Sequence, residues 1–239
     1  GQFQIEGSAS ISIGGFNLAS GFLRLNNDGV YVSATLAVPG VLSATVTGYI
    51  YTNGSFSITG NATISLAGFN LASASLTLNN TGIAISVYVG IGPISATVSG
   101  YFYSNGQFSL SVNASVNIAG FSFAVTITLN NSGLYAAGSL SIAGIGSIAV
   151  SAWIGTDGSF AFTGTFNLTI LGFTLASASF TLTNSGASVS VYVNVGIFKG
   201  WVSGSIQSNG NFWFTGGVSI QIPVPGGSWT LASATLTAG

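Results

Sequence analysis

The sequence predicts an all-β protein: an antiparallel meander of four-stranded repeats of about 52 residues, stacked as an elongated β-sandwich. Three observations predict this fold class. Landmark residues recur at a fixed spacing, apolar and polar residues alternate with a period of two, and turn-forming residues separate the alternating segments. No segment shows the spacing of an amphipathic helix.

An aromatic landmark marks the repeats. Phe3, Phe56, Phe108, Phe160 and Phe212 are separated by 53, 52, 52 and 52 residues, and Gly-Phe pairs and Asn-x-Gly triplets keep nearly the same step. A single repeat array therefore fills residues 1–239. Its repeats lie at about 1–54, 55–106, 107–158 and 159–210, followed by a half repeat at 211–239.

Each repeat contains four strand-like segments, shown here for the second repeat. Within residues 56–66, Phe56, Ile58 and Leu66 share one face, while hydroxyl and amide side chains take the other. Further strands are expected at about 69–79, 83–91 and 94–103, which gives roughly 18 strands in sequential hairpins. The segment 69–79 changes phase after Leu71, which predicts a β-bulge near Leu71-Ala72 and its equivalent in each repeat.

Two kinds of turn are expected to join the strands. Asn-Gly and Asp-Gly pairs supply the positive φ that tight primed hairpin turns need. Gly14-Gly15 and Pro39-Gly40 represent the connections that close the opposite ends of the strands. The recurring Asn-Gly and Asp-Gly pairs are Asn53-Gly54, Asn105-Gly106, Asp157-Gly158 and Asn209-Gly210.

The composition excludes much chemistry. The chain carries 2 basic and 3 acidic side chains, 35 Gly, and no His, Cys or Met. We therefore predict no enzyme activity, no catalytic residue, no cofactor and no metal site of the usual His and Cys types. Two basic side chains are too few to bind nucleic acid, and no apolar run is long enough for a membrane-spanning helix. Because the chain starts at Gly1 and lacks Met, we expect a processed mature chain or a section of a longer one.

The few charged residues have structural interpretations. Glu6 and Arg24 should lie nearly opposite each other on the polar face of the first hairpin, as an ion pair that contributes about 0.2–1 kcal/mol. Asp157 replaces Asn in a repeating turn, so we expect a turn role rather than a metal ligand. Lys199 and Trp201 are interpreted as an exposed charge and a packed aromatic ring.

Seven tyrosines alternate with apolar residues and are predicted to lie on the polar faces of the sheet. One interpretation is cross-strand aromatic packing; the other is a sugar-stacking or adhesive surface, and the sequence leaves both open. These residues are Tyr31, Tyr49, Tyr51, Tyr88, Tyr101, Tyr103 and Tyr192.

Six Asn-x-Ser/Thr acceptor sequences are candidates for N-glycosylation. Ser and Thr are so frequent that the motif permits the modification without indicating it. A nearly uncharged, apolar-rich surface tends to associate, so covalent glycans would help keep the protein in solution. The candidates are Asn53, Asn61, Asn79, Asn113, Asn130 and Asn167.

The composition and repeat style of the whole chain resemble the repetitive Gly/Ser/Thr/Asn-rich surface-filament and adhesin-type β-repeat proteins of bacteria and archaea. The resemblance implies a secreted structural role at the cell surface and transfers no site residue. We therefore predict a self-assembling subunit of an extracellular filament whose partner is another copy of itself, paired through edge strands. Two alternatives stay open: an outer-membrane-type β-barrel and a carbohydrate-binding adhesin stalk.

Overall fold

The computed structural model describes residues 3–143, 146–167, 169–170, 173–174, 178–195, 198–224 and 227–238. These residues form strands and turns, with no helix among them. Within this part of the chain, no helix has the length and apolarity needed to cross a lipid bilayer. The all-β fold class predicted from the sequence is therefore confirmed.

The strands follow the predicted order. They are β1 (Ile5–Ile13), β2 (Phe16–Asn26), β3 (Gly29–Val38), β4 (Leu42–Tyr51), β5 (Phe56–Leu66), β6 (Phe69–Asn79), β7 (Gly82–Ile91), β8 (Ile94–Phe102), β9 (Phe108–Ile118), β10 (Phe121–Asn130), β11 (Gly133–Ile142), β12 (Gly146–Ile154), β13 (Phe162–Phe166), β14 (Thr169–Ile170), β15 (Phe173–Thr174), β16 (Ala178–Thr183), β17 (Gly186–Val195), β18 (Phe198–Ile206), β19 (Phe212–Val224) and β20 (Gly227–Ala238).

Eighteen of these strands belong to one antiparallel sheet in which neighbours in the chain pair, and β14 and β15 form a separate two-stranded hairpin. In the second repeat, for example, β5 pairs with β4 and β6, and β7 pairs with β6 and β8. The meander predicted from the sequence is confirmed, and the predicted strand ends of that repeat agree within one residue.

The chain divides into two compact units. The first unit is Gly1–Val112 with Ile127–Tyr135, and the second is Asn113–Thr126 with Ala136–Gly239. Each unit has its own apolar core, built from alternate residues of its strands. Phe16 packs on Phe102 in the first unit, with ring centroids 6.3 Å apart, and Phe121 packs on Phe180 in the second, at 6.4 Å. Among the described residues, no polar or charged side chain is buried.

The predicted β-bulge occurs in three hairpins. In the second repeat Ala62 pairs with Ala74 and Ile64 with Leu71, so β6 has two residues opposite one of β5. Ser73, one of those two residues, has a φ of 58°. The same register shift occurs between Ala9 and Ile11 in β1–β2, and between Ile220 and Gln221 in β19–β20.

The prediction of a bulge is wrong for the third repeat. Buried and exposed residues alternate without a phase change along β10, from Phe121 to Leu129. The physical reason is a missing residue: Phe121 and Gly133 are 12 positions apart, whereas Phe69 and Gly82 are 13 apart. Without the extra residue, a regular strand keeps all apolar side chains on the core face. The equivalent position in the fourth repeat, residues 175–177, lies outside the described residues.

The turn types also differ from the prediction. At Asn53-Gly54, the Gly54 N–H donates to the Tyr51 carbonyl (3.0 Å) and the Tyr51 N–H donates to the Ser55 carbonyl (2.9 Å). Gly54 has a φ of 81° while Asn53 stays at negative φ, so this is a three-residue loop that ends in a left-handed glycine. The primed turns lie at the other strand ends, at Gly14-Gly15, Ala67-Gly68 and Ala119-Gly120, where both residues have positive φ.

Candidate functional site

The first candidate surface is the start of strand β1, where apolar residues are exposed. Ile5 is 63% exposed and Phe3, just before the strand, is 51% exposed. The equivalents of Ile5 in later repeats belong to the core. Ile58, the counterpart of Ile5, is 0% exposed, since β5 is flanked by β4 and β6. The pairing that the structure describes for β1 is with β2. The side chain of Ile5 on β1 therefore remains exposed, whereas that of its counterpart on β5 is buried.

The ion pair predicted on this hairpin is present. Glu6 and Arg24 are directly opposite in the β1–β2 register, and Arg24 Nε donates to Glu6 Oε1 at 3.0 Å. Both side chains are 43% exposed, so the pair contributes at most about 1 kcal/mol. Arg24 also lies over the Phe22 and Tyr31 rings, with its Cζ atom 5.5 and 6.0 Å from the ring centroids.

The tyrosines lie on the polar faces of the sheet, as predicted. Tyr31 and Tyr49 are opposite each other in the β3–β4 register, with ring centroids 5.3 Å apart, and Tyr49 stacks on Tyr51 at 6.2 Å. Tyr101 stacks on Tyr103, also at 6.2 Å. Cross-strand aromatic packing therefore occurs, although Tyr51, Tyr88, Tyr103 and Tyr192 remain substantially exposed.

Trp201 was interpreted as a packed aromatic, and this holds for one of its faces. It lies opposite Tyr192 in the β17–β18 register, with ring centroids 5.4 Å apart, yet it is 62% exposed. Trp213 on β19 is 57% exposed. Trp213 was not predicted as a site residue, although its position on the polar face of β19, in step with Thr215 and Gly217, is visible in the sequence.

Beside Trp213 lies a surface groove of about 490 Å³, here called the second hydroxyl groove. Trp201 does not line this groove, but it precedes the lining residue Ser203 by two positions on β18. Three neighbouring strands each contribute two hydroxyl side chains, and Trp213 lines the same groove. The register places these side chains in rows across the strands, because Ser190 pairs with Ser179 and Ser203, and Ser188 pairs with Thr181 and Ser205. The six hydroxyl residues of these strands are Ser179, Thr181, Ser188, Ser190, Ser203 and Ser205, and Thr215 of β19 is the seventh hydroxyl residue that lines the groove.

A first hydroxyl groove of about 340 Å³ lies 104 residues earlier in the chain. Ser75, Thr77, Ser86 and Ser99 occupy the positions of Ser179, Thr181, Ser190 and Ser203, and Tyr101 lines the groove beside them. Thr97 and Ser109 stand where the second groove has Trp201 and Trp213. The two grooves therefore share four hydroxyl positions; they differ in their tryptophans and at Ser188 and Ser205, where the first groove has Ala84 and Tyr101.

Asp157 has the turn role predicted for it. Its Oδ1 accepts hydrogen bonds from the Ser159 hydroxyl (2.6 Å) and the Ser159 backbone N–H (2.9 Å). The hydroxyl bond is the larger cause, and the two together lower the carboxyl pKa from its ordinary value of 3.8. Among the described residues, no three carboxylate side chains come together in a group that could hold a metal ion.

The candidate glycosylation residues lie at exposed or half-buried positions. Asn61, Asn113 and Asn167 are exposed, and Asn113 Oδ1 accepts a hydrogen bond from the Thr126 hydroxyl (2.8 Å). The side-chain oxygens of the other three accept bonds from the backbone N–H two residues later: Asn53 from Ser55, Asn79 from Thr81 and Asn130 from Ser132, at 2.8 to 2.9 Å. Glycosylation at all six stays a prediction.

Comparison with known proteins found no matching family model, no similar curated protein and no similar solved structure.

Proposed function

We propose that the protein is a non-catalytic structural subunit of an extracellular or cell-surface filament, in which copies join by pairing of edge strands. The observation that carries the proposal is the exposure of Ile5 on β1 and of Phe3 just before that strand. An edge strand presents unpaired backbone groups, and an apolar edge strand also gains from being covered. A strand from a second copy supplies both, and a head-to-tail contact of this kind extends into a fibre.

The repeats indicate what would cover β1. In the second repeat Ile58 pairs with Gly48, in the third Leu110 pairs with Gly100, and in the half repeat Phe214 pairs with Gly204. Each large side chain thus lies opposite a glycine of the preceding strand. A strand with a small residue opposite Ile5 would fit β1 in the same register, which favours a partner built from the same repeats, such as a second copy.

The proposal is tested by placing a charge on the apolar face of β1. The Ile5→Lys variant alters a residue that is already exposed, so the fold should survive, but an added strand would bury the ammonium group. We expect negative-stain electron microscopy to show filaments of the unmodified chain in detergent-free buffer. Ultracentrifugation should show a sedimentable fraction about tenfold smaller for the variant.

Ser8→Lys is the matched control, because Ser8 is exposed on the opposite face of the same strand and takes the same added charge. It should leave the sedimentable fraction nearly unchanged. A chain that stays monomeric at every concentration contradicts the proposal, and so does a chain that needs detergent to remain dispersed. Equal effects of the two lysines would also contradict it.

Glycosylation belongs to the same proposal, since an extracellular filament with 5 formal charges would gain solubility from glycans. Intact mass spectrometry of native material should show hexose-containing additions, and peptide mapping should place them on the predicted asparagines. An intact mass equal to that of the polypeptide, 23.9 kDa, would remove glycosylation from the proposal and leave the filament assignment untouched.

A further inference from the structure

We infer that the second hydroxyl groove, together with Trp201 and Trp213, is a binding site for a neutral polysaccharide. The inference goes beyond the filament assignment and does not depend on it, because the groove residues lie far along the chain from β1.

The two tryptophans are not needed for folding at their positions. At the places equivalent to Trp201, the earlier repeats carry Thr45, Thr97 and Ala149. At the places equivalent to Trp213 they carry Ser57, Ser109 and Ala161. Small side chains therefore satisfy the same strand positions. Leaving two indole rings more than half exposed forgoes the free energy that burial would provide, which indicates a role at the surface.

Along the strand direction, the two tryptophans lie on either side of the row formed by Ser179, Ser190 and Ser203. Trp213 lies opposite Ser205, whereas Trp201 lies opposite Gly217, four residues further along β19. Four residues of strand correspond to about 14 Å. An oligosaccharide of a few sugar rings spans such a distance, with one ring on each indole and the intervening rings over the hydroxyl rows.

The rows between the rings match the hydrogen-bonding chemistry of sugars. A serine or threonine hydroxyl both donates and accepts, as a sugar hydroxyl does. Within the residues that the structure describes, none of the seven groove hydroxyls bonds to another protein group, whereas hydroxyls elsewhere pair, as Ser139 with Ser147 at 2.5 Å. Their donors and acceptors are therefore open to a ligand.

The lining of the groove argues for a neutral ligand. Every residue that lines it is uncharged, so the groove offers no ion pair to a carboxylate or sulfate group. Its volume of about 490 Å³ falls within the range of about 300–1,000 Å³ typical of small-molecule sites. The electron-rich face of an indole ring attracts the C–H groups of a sugar ring, through the same ring quadrupole that orients aromatic pairs.

The test measures retention of the full chain by insoluble cellulose, chitin and starch, with a polygalacturonate gel as the acidic comparison. The protein carries Ile5→Lys throughout, so that self-association does not contribute to retention. We expect at least one neutral polymer to retain the protein with a saturable isotherm, and soluble oligosaccharides of that polymer to shift its tryptophan fluorescence.

The decisive variant combines Trp201→Thr with Trp213→Ser, which installs the residues found at the equivalent positions of the first groove, Thr97 and Ser109. Binding should weaken about tenfold or more. The control is Trp153→Ser, because Trp153 is an exposed tryptophan of β12 that does not line the groove; this variant should bind as before. Circular dichroism verifies that each variant keeps its sheet.

Ser203→Leu provides a second variant should the double variant unfold. Ser203 is exposed in the middle of the rows, so leucine would occupy the groove without disturbing the core, and it should reduce retention comparably. The inference is overturned if no neutral polymer retains the protein, or if the groove variants bind like the Trp153 control. It is equally overturned if only polygalacturonate retains the protein and a Lys199→Gln variant abolishes that retention.

Discussion

The two units are closed by equivalent contacts although their strands differ in detail. In the first unit, Gly15 of the β1–β2 turn lies against Ser104 of the β8–β9 turn. In the second unit, Gly120 of the β9–β10 turn lies against Ser208 of the β18–β19 turn. The partners are 89 and 88 residues apart in the chain. The repeat of about 52 residues therefore defines the strands, whereas each packed unit takes in more than two repeats.

One difference between hairpins of the two units shows how register is maintained. The β1–β2 hairpin of the first unit has a bulge at Ala19-Ser20, and β19–β20 of the second unit has one too, whereas Phe121 to Thr126 of the second unit runs without one. The chain is one residue shorter at that place, so the apolar side chains stay on the core face in both cases. A strand that lacks the extra residue therefore keeps its register without a bulge.

The largest predicted effect tests this rule by deleting one residue. Deletion of Thr126 removes a residue from β10, which has no extra one, so Ile127 and Leu129 would turn from core to solvent. We expect a loss of about 3–6 kcal/mol in the free energy of unfolding, or no folded protein, measured by urea denaturation.

Deletion of Ser73 is the matched control. It removes the extra residue of β6, which has a φ of 58°, and restores strict alternation as in β10. The free energy of unfolding should change by no more than about 1 kcal/mol, since relief of backbone strain offsets the lost bulge. If both deletions were equally harmful, the bulge would not be what sets the register.

The next effect concerns Gly100, a strand glycine of the first unit whose equivalent in the third repeat of the chain is an alanine. Gly100 of β8 has Ala152 of β12 as its equivalent 52 residues later. A Cβ at Gly100 would overlap the backbone carbonyl of Ser109 on the adjacent strand. Gly100→Ala should therefore cost about 3 kcal/mol, because backbone must move to make room.

The Gly106→Ala variant separates the cost of this steric overlap from the cost of an unfavourable backbone conformation. Gly106 has a φ of 82° but no atom within 4 Å of an added Cβ, so alanine there should cost only about 1–2 kcal/mol. Urea midpoints of the two variants give the comparison. If the two variants lost the same stability, the close approach of β9 would not be the reason for glycine at position 100.

A smaller effect should be the same in both units. Ala67 in the first unit and Ala119 in the second have a φ of 49° in primed turns where the first repeat has Gly14. Ala67→Gly and Ala119→Gly should each stabilise the protein by about 1 kcal/mol, because glycine adopts this conformation without strain. Gly14→Ala should lower the urea midpoint by a similar amount; a rise would contradict the turn assignment.

The smallest effect distinguishes the turn at Asp157 from its first-unit counterpart at Asn53. Hydrogen bonds from Ser159 lower the Asp157 pKa, so the carboxylate contributes stability above the ordinary pKa of 3.8 and loses it as the pH falls through the folded-state pKa. Asp157→Asn should remove this acid dependence. The urea midpoint should fall between about pH 6 and about pH 2, and it should fall less for the variant than for the unmodified chain. An equal fall in both proteins would contradict the expected linkage.

Much of the local structure was predictable from the sequence. Residues at odd and even positions of a strand face opposite sides of the sheet, and these positions can be counted in the sequence. This count was enough to predict the strands of the second repeat, the Glu6–Arg24 pairing and the tyrosines on the polar faces. The absence of the third bulge was also visible, as a spacing of 12 rather than 13 residues between Phe121 and Gly133. The turn at Asn53-Gly54 was misassigned because an Asn-Gly pair suits two loop types, which differ in backbone hydrogen bonds that composition does not reveal.

The hydroxyl grooves show what sequence reasoning missed. Trp201 and Trp213 are 12 residues apart on different strands, and only the register of β18 and β19 places them on either side of one hydroxyl row. From the sequence, a sugar-stacking surface was an open interpretation of the tyrosines alone. The structure brings the tryptophans and the hydroxyls together, while several tyrosines pack mainly on one another.

Alone, the sequence determined which residues form strands, which face each side chain occupies and where the chain turns, because each of these depends on neighbours a few positions away. Only the tertiary structure decided that the repeats pack into two units, that Gly15 meets Ser104, and that β1 leaves Ile5 uncovered. Those contacts join residues nearly 90 positions apart, and they depend on how twist and bending accumulate over seven successive strands.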